Sequence, residues 1–449
     1  MVIKWYKQIK AILTEEPELW LSYIHGQQLN NITHLKNIEP RYKGLPTQLA
    51  KFSYLMLRTW RPAANSQLSQ QADYFFFAGT SNQMDSLEST IDALQKKGAS
   101  VIAVAPRHLI NRPSRQQHYT PYTLSTTDVV KAMLLLTCRG NRLYKDLNAL
   151  HPKAVDWWYS NFCTIYTNLP YFQRALRSVQ PKVVVTANDH NAANRCMLAI
   201  AHQNNIKTAY LQHASVSRFF PALKVNYAFL DGQHAADIYR ECENNQPNTV
   251  RKVPEPQLFL SGQKKSLRKP KEKSLVKSRY IGLALNSLDS IEQVTYLLNK
   301  LSVQGHNIMV RWHPAQPKKD IEHIKRLCDT NEQLSYSDAK TESVGAFLSK
   351  IRWLIAGNSS IHLEAALADV NTIYYEIIPA EHTDYYGYVK HGIARRAKSV
   401  AEISEFINAQ DNIDIDIIDA VRHYSATYKT EWEGREGELV ADLLQSALQ

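Results

Sequence analysis

The chain has 449 residues, 44% hydrophobic and 21% charged, and its 53 basic against 42 acidic side chains give a formal charge of +11. That length exceeds one ordinary core and predicts two domains, and the positive balance favours anionic partners such as nucleotides, acidic glycans, anionic lipid headgroups or nucleic acid. Five scattered cysteines without CxxC spacing argue against a disulfide framework or a zinc site, no apolar run can span a bilayer, and residues 1–7 lack a signal-peptide core, so a cytoplasmic protein is expected.

In chain order, Trp5, Tyr6, Ile9, Ile12 and Leu13 with Lys4, Lys7 and Lys10 predict an amphipathic helix. Packing on its own domain is favoured over lying on a membrane surface. Residues 74–78 read as a strand, followed by Gly79-Thr80-Ser81-Asn82, a helix over 84–97 and a strand over 100–104. Residues 121–180 carry helical patterns, with Trp157-Trp158-Tyr159 assigned to core packing. Strands are expected at 182–187, 207–211 and 226–230, with a helix over 191–204.

A basic run from Gln263 to Lys273, with Pro270 inside, reads as a solvated linker. Beyond it, strands are expected at 280–286, 307–312, 353–356 and 371–376, alternating with helices near 289–304, 318–330, 341–350 and 360–368. The predicted fold class is α/β, two Rossmann-like domains facing a cleft. The expected division is 1–262 as an acceptor-side domain, 263–279 as linker and 280–449 as the nucleotide-donor domain. The helical tail from about 420 onward is expected to reach back to the first domain.

Two corners carry the chemistry. Arg311-Trp312-His313-Pro314 follows one strand of the second half, and Gly357-Asn358-Ser359-Ser360 follows another. Proline holds the preceding histidine extended, so His313 beside Arg311 presents a cation pair suited to a phosphate. Ser359 and Ser360 offer two hydroxyls, more than a helix cap requires. Glu364, one turn on, suits ribose hydroxyls or simply favours the helix start. Asn286-Ser287, closing the first strand of this half, either caps a helix or touches phosphate.

In the first half, Asp189, His190 and His213 stand directly after predicted strands and are the candidates for a general base. There is no HExxH, GxGxxG, P-loop or GxSxG pattern, so no metal or cofactor is expected.

At His313-Pro314 and Ser359-Ser360 the chain resembles bacterial surface-polysaccharide transferases of the GT-B fold. That group includes capsule sialyl- and Kdo-transferases and teichoic-acid glycerophosphotransferases, and the resemblance covers roughly residues 280–380. It implies transfer from a nucleotide-activated donor, with inversion and without an essential metal. The histidine and serines would hold the donor phosphate, and a base from the first domain would activate the acceptor. Gln212-His213-Ala214 resembles the QHG of such first domains, with alanine in place of glycine. The acidic-acidic-glycine motif of the sialyltransferases has no counterpart, Asn188-Asp189-His190 being the nearest in layout.

The expected function is a glycosyltransferase for a surface polysaccharide or lipid-linked glycan, with a CMP-activated acidic sugar as first choice of donor. Peripheral contact with an anionic membrane at its inner face fits the charge, and nucleic acid is not an expected partner. The alternatives are a GT-B nucleotide-sugar epimerase and a non-catalytic polyanion binder.

Overall fold

The computed structural model describes residues 2–15, 43–62, 66–110, 118–150, 152–218, 220–244, 255–264, 280–286, 289–378, 383–409 and 417–448. The chain divides into two compact units that do not follow simple chain order. The first comprises residues 1–265 together with 435–449, and the second 266–434.

Unit one holds a seven-stranded parallel sheet ordered β3-β2-β1-β4-β5-β6-β7. Its strands are β1 (Tyr74–Phe77), β2 (Val101–Pro106), β3 (Tyr119–Tyr122), β4 (Val183–Thr186), β5 (Lys207–Leu211), β6 (Tyr227–Leu230) and β7 (Gln257–Leu260). The central strands are continuous apolar runs because a parallel sheet is covered on both faces. In β1, Phe75 and Phe77 join one apolar cluster, with the helices Ile165–Val179 and Ala192–Gln203. Tyr74 and Phe76 join the other, with the helix Ser81–Lys96. Alternating side chains of a strand face opposite sides, so one short run serves both layers.

The first helix, Val2–Glu15, buries Trp5, Ile9, Ile12 and Leu13 in the first of these clusters and leaves Lys4, Lys7 and Lys10 exposed. Its apolar stripe is occupied by its own domain, which corrects the alternative of a membrane-lying helix. The helix Glu436–Ser446 joins the second cluster through Val440, Ala441 and Leu444. It touches the helix Ser81–Lys96 closely. A Cβ on Gly437 would fall 2.5 Å from the Ser89 backbone, and Tyr227 Oη donates to the Ala447 carbonyl at 2.8 Å. The tail is divided, however. The helix Ile417–Tyr424 stays with unit two, where Val421 and Tyr424 pack with Leu363 and Tyr388.

Unit two repeats the topology in a six-stranded parallel sheet ordered β10-β9-β8-β11-β12-β13. Its strands are β8 (Tyr280–Ala284), β9 (Asn307–Arg311), β10 (Leu334–Ser337), β11 (Ile351–Ala356), β12 (Asn371–Tyr374) and β13 (Ala394–Arg396). Gly282 in central β8 has a reason to lack a side chain: a Cβ there would lie 2.5 Å from Ile351 Cδ1 and 2.7 Å from Phe347 Cζ.

The expected linker starts differently from its reading as solvated chain. The Lys264 side chain is fully buried, donates to the Gly262 carbonyl at 3.1 Å and sits 3.6 Å from the Asp231 carboxylate. A buried ammonium needs such partners. Most of the basic run, 265–279, lies outside the described residues.

Candidate functional site

Both sheets reverse direction once, between β1 and β4 in unit one and between β8 and β11 in unit two. Ligands of open α/β sheets bind beyond the carboxyl ends of the strands at this switch point. In unit two, the two motif corners are not on neighbouring strands. His313 follows β9 and Ser359-Ser360 follow β11, with β8 and its Asn286 between them. Asn286 reaches the serine corner across the switch point, its Nδ2 donating to the Asn358 carbonyl at 3.4 Å, while the Leu285 N–H before it donates to the Arg311 carbonyl at 2.9 Å.

The histidine corner is a tight turn closed by Gln316 N–H on the His313 carbonyl at 2.9 Å, and the helix Lys318–Thr330 starts only after it. His313 is exposed. Its Nδ1 accepts from the Ala315 N–H at 3.1 Å, so a neutral ring carries its proton on Nε2. That nitrogen is left as a donor.

Arg311 behaves differently from the cation pair read from the sequence. It is buried, its guanidinium donates to Ser337 Oγ at 2.7 Å and to the Glu342 carbonyl at 3.0 Å, and it lies over the Phe347 ring at 5.5 Å. Burial pulls its pKa down, while Glu342, Glu364 and Asp338 hold it up. The residue ties β9 to the segment after β10 and is a clamp more than an open cation. Its field from Glu364 relates the arginine to the helix that follows the serine corner.

The serine corner is held by Asn358, whose Oδ1 accepts from the Tyr385 N–H at 2.9 Å and lies 3.1 Å from Tyr374 Oη. Ser359 Oγ accepts weakly from Ile361 N–H at 3.4 Å. Ser360 begins the helix Ile361–Leu367, yet its hydroxyl makes no capping bond and is exposed. His362 behind it is fully buried. Its Nε2 donates to the Gly357 carbonyl at 3.0 Å, and burial pushes its pKa down to about 4. It fixes the glycine turn as a neutral ring.

Two features here escaped the sequence reading. Asp289 accepts the Asn286 N–H on Oδ2 at 2.7 Å, and burial raises its carboxyl to about 6. The loop after β12 brings Tyr385 to the serine corner, and Asp384 shapes it. The Asp384 carboxylate accepts the N–H groups of Val389 at 3.0 Å and Lys390 at 2.9 Å. The string Asp384-Tyr385-Tyr386-Gly387-Tyr388 was the available signal. Ser287 lies outside the described residues.

In unit one, β4 ends in a compact turn. Asn188 Oδ1 accepts the N–H groups of His190 at 2.9 Å and Asn191 at 2.8 Å. Asp189 is fully buried, with Oδ1 3.1 Å from His190 Nδ1. His190 Nε2 lies 3.2 Å from Asn188 Nδ2, and its ring rests on Phe220 at 4.7 Å. Because the Asn188 oxygen is engaged by backbone, its amide nitrogen must face the ring. The consistent tautomer therefore has Nδ1–H on Asp189 and the Nε2 lone pair accepting from the Asn188 amide, a bond that an acceptor hydroxyl would replace. A carboxylate orienting a histidine in this way is the arrangement of a general base. His213 follows β5 on the neighbouring turn, where Gln212 braces the corner by donating to the Ala214 carbonyl at 3.1 Å and accepting the Asp231 N–H at 2.9 Å.

No family model and no curated protein matches the chain. Solved structures do. The UDP-GlcNAc 2-epimerase from Methanocaldococcus jannaschii aligns at 13% identity and a TM-score of 0.54, over 83% of this chain and 99% of that one. The UDP-GlcNAc 2-epimerase from Neisseria meningitidis bound to UDP-GlcNAc aligns at 10% identity and 0.53, over 83% and 99%. The glycotransferase of kitacinnamycin aligns at 11% identity and 0.52, over 85% and 100%. The fold is GT-B. Identities this low establish two Rossmann-like parallel-sheet domains and nothing finer. Among the described residues, no helix is long and apolar enough to cross a membrane.

Proposed function

We propose that the protein is a glycosyltransferase that takes a nucleotide-activated sugar on its second unit. The observation that carries this reading is the convergence of His313, Asn286 and the Ser359-Ser360 pair on the ends of β9, β8 and β11, spanning the switch point. His313 Nε2–H and the exposed Ser360 hydroxyl are donors suited to the phosphate of a leaving nucleotide, and donors aimed where charge develops favour departure. Arg311 positions the end of β9. Glu364 is the candidate for ribose hydroxyls. His190, oriented by Asp189, is the base that would take the proton of an acceptor hydroxyl, with His213 as the other candidate. No step in this scheme calls on a metal.

A CMP-activated acidic sugar remains the first choice of donor, and a surface polysaccharide or lipid-linked glycan the acceptor. The site of action would be the cytoplasmic face of a membrane, with the exposed lysines of the first helix toward anionic lipid. The second reading is a nucleotide-sugar epimerase, favoured by the UDP-GlcNAc 2-epimerases among the structural neighbours. Turnover of a nucleotide sugar without any glycan would support the epimerase and sink the transferase. In the transferase, His313→Ala should lower turnover about 10²–10³-fold, the loss typical of one donor to a developing charge, with an unchanged melting temperature. Near-normal transfer of radiolabelled sugar by that variant would remove the central claim.

A further inference from the structure

Unit one contains a cavity of about 870 Å³ beyond the carboxyl ends of β1, β2 and β3 and beside the start of the helix after β4. It thus lies at the switch point of the first sheet, where Gly79 follows β1 and Asn191 precedes the helix Ala192–Gln203. Neither Asp189, His190 nor His213 lines it, and the nucleotide reading above gives it no task.

Its chemistry is uneven. Arg58, Arg61 and Arg107 line it and are exposed, His108 stands with them, and no carboxylate belongs to the described lining. Among the described residues none of the three arginines forms an ion pair. Arg61 donates to the carbonyls of Arg58 and Trp60, which leaves Arg58 and Arg107 as its open cations. The floor is apolar, with Phe52, Phe77 and Tyr122.

A second observation is independent of charge. Asn194 is fully buried at the cavity wall, its Nδ2 donates to Thr186 Oγ1, and its Oδ1 is left without a partner. The Thr186 bond fixes which way the amide points, so the orphan is an acceptor. Leaving a buried acceptor unmet is unfavourable, and a ligand donor meets it. Gly79 lies beside this oxygen: a Cβ on it would stand 3.6 Å from Asn194 Oδ1.

We propose that this cavity binds a sugar bearing an anionic group. The Arg58 and Arg107 guanidinium groups take the carboxylate or phosphate, which they match in planar shape and charge. A ligand hydroxyl donates to Asn194 Oδ1, and the sugar's C–H face rests on the aromatic floor. Naming this sugar as the acceptor rests on the transferase reading; the binding itself does not.

The test is calorimetric titration of the full chain with glucuronate, glucose 6-phosphate, glucose and inorganic phosphate. One or both sugar anions should bind at least about tenfold more tightly than glucose or phosphate alone, one charge-assisted hydrogen bond being worth about that factor. Glucuronate against glucose 6-phosphate decides between carboxylate and phosphate. The double variant Arg58→Gln, Arg107→Gln should lose the preference over glucose. Gly79→Ala, whose methyl makes only ordinary contacts, should weaken the sugar anions and leave phosphate alone unchanged. Binding of CMP or UDP should persist in all these variants, and sugar-anion binding should persist in His313→Ala, so the two readings fail separately. Equal affinity for glucose, no binding of either sugar anion, or a double arginine variant that binds like the parent would overturn the proposal.

Discussion

At the scale of single residues, the second unit separates side chains that hold the fold from those left for a ligand. Ser360 stands at a helix start without performing the cap. Replacing a capping serine by alanine costs about 1 kcal/mol, so Ser360→Ala should leave the melting temperature unchanged while weakening nucleotide binding. A loss of stability with intact binding would return the residue to a structural role. Asp289 supplies a pH signature. Its folded-state pKa is raised from 3.8 to about 6 by burial, so its contribution to stability is fully present below about 4 and lost as pH rises through 6. Asp289→Asn keeps an oxygen for the Asn286 N–H and removes the charge. It should raise the melting temperature at pH 8, by up to about 2–3 kcal/mol of stability for a shift of this size, and not at pH 4. An equal effect at both values would refute the assignment. Arg311 shows where residue type misleads. An arginine beside a histidine reads as a second cation for phosphate, but its partners Ser337 and Glu342 come from sequence-distant segments that only the folded sheet brings to it.

At the scale of elements, the support beneath the site is a packed stack. Phe347 lies under Arg311 and against the bare backbone of Gly282. Gly282→Ala should displace Phe347 and Ile351, destabilise the unit by about 1–3 kcal/mol as overpacking does, and weaken nucleotide binding through the tilt of Arg311. Denaturant melts read the first effect and titration the second. The interior strands β1, β2, β4, β5, β6, β8, β9, β11 and β12 were legible because a parallel sheet buried on both faces demands unbroken apolar runs. The four strands that did not stand out in the sequence, β3, β7, β10 and β13, are the four sheet edges. Their patterns explain it: Tyr-Thr-Pro-Tyr carries a proline tolerated only at an edge, Gln257–Leu260 is mostly exposed, and Ala394–Arg396 ends in two exposed arginines. The corners His313-Pro314 and Ser359-Ser360 were legible as motifs. The cavity above β1 to β3 was not, since its arginines, its glycine and its asparagine lie on four separate segments.

At the scale of the whole molecule, the path of the chain matters as much as either sheet. Unit one is closed by the helix Glu436–Ser446, which buries Val440 and Leu444 against the same cluster as Leu87, Ile91 and Leu94. Full burial of each such side chain is worth roughly 1.5–3 kcal/mol. Ending the chain after residue 434 should therefore lower the melting temperature of unit one by several degrees and promote aggregation. Gly437→Ala, which drives a methyl into the Ser89 backbone, should do the same more mildly. Scanning calorimetry that finds unit one unchanged by truncation would refute this. The route also sets a timetable. On a ribosome adding roughly 5–20 residues per second, the 435–449 segment emerges roughly 10–30 s after residue 265, with all of unit two made in between. For that interval the cluster around the helix Ser81–Lys96 waits without its last apolar partner, so its completion reports that the second unit has been synthesised. A chaperone that recognises bare apolar helix faces would hold the nascent chain in that window and release it when the last helix docks.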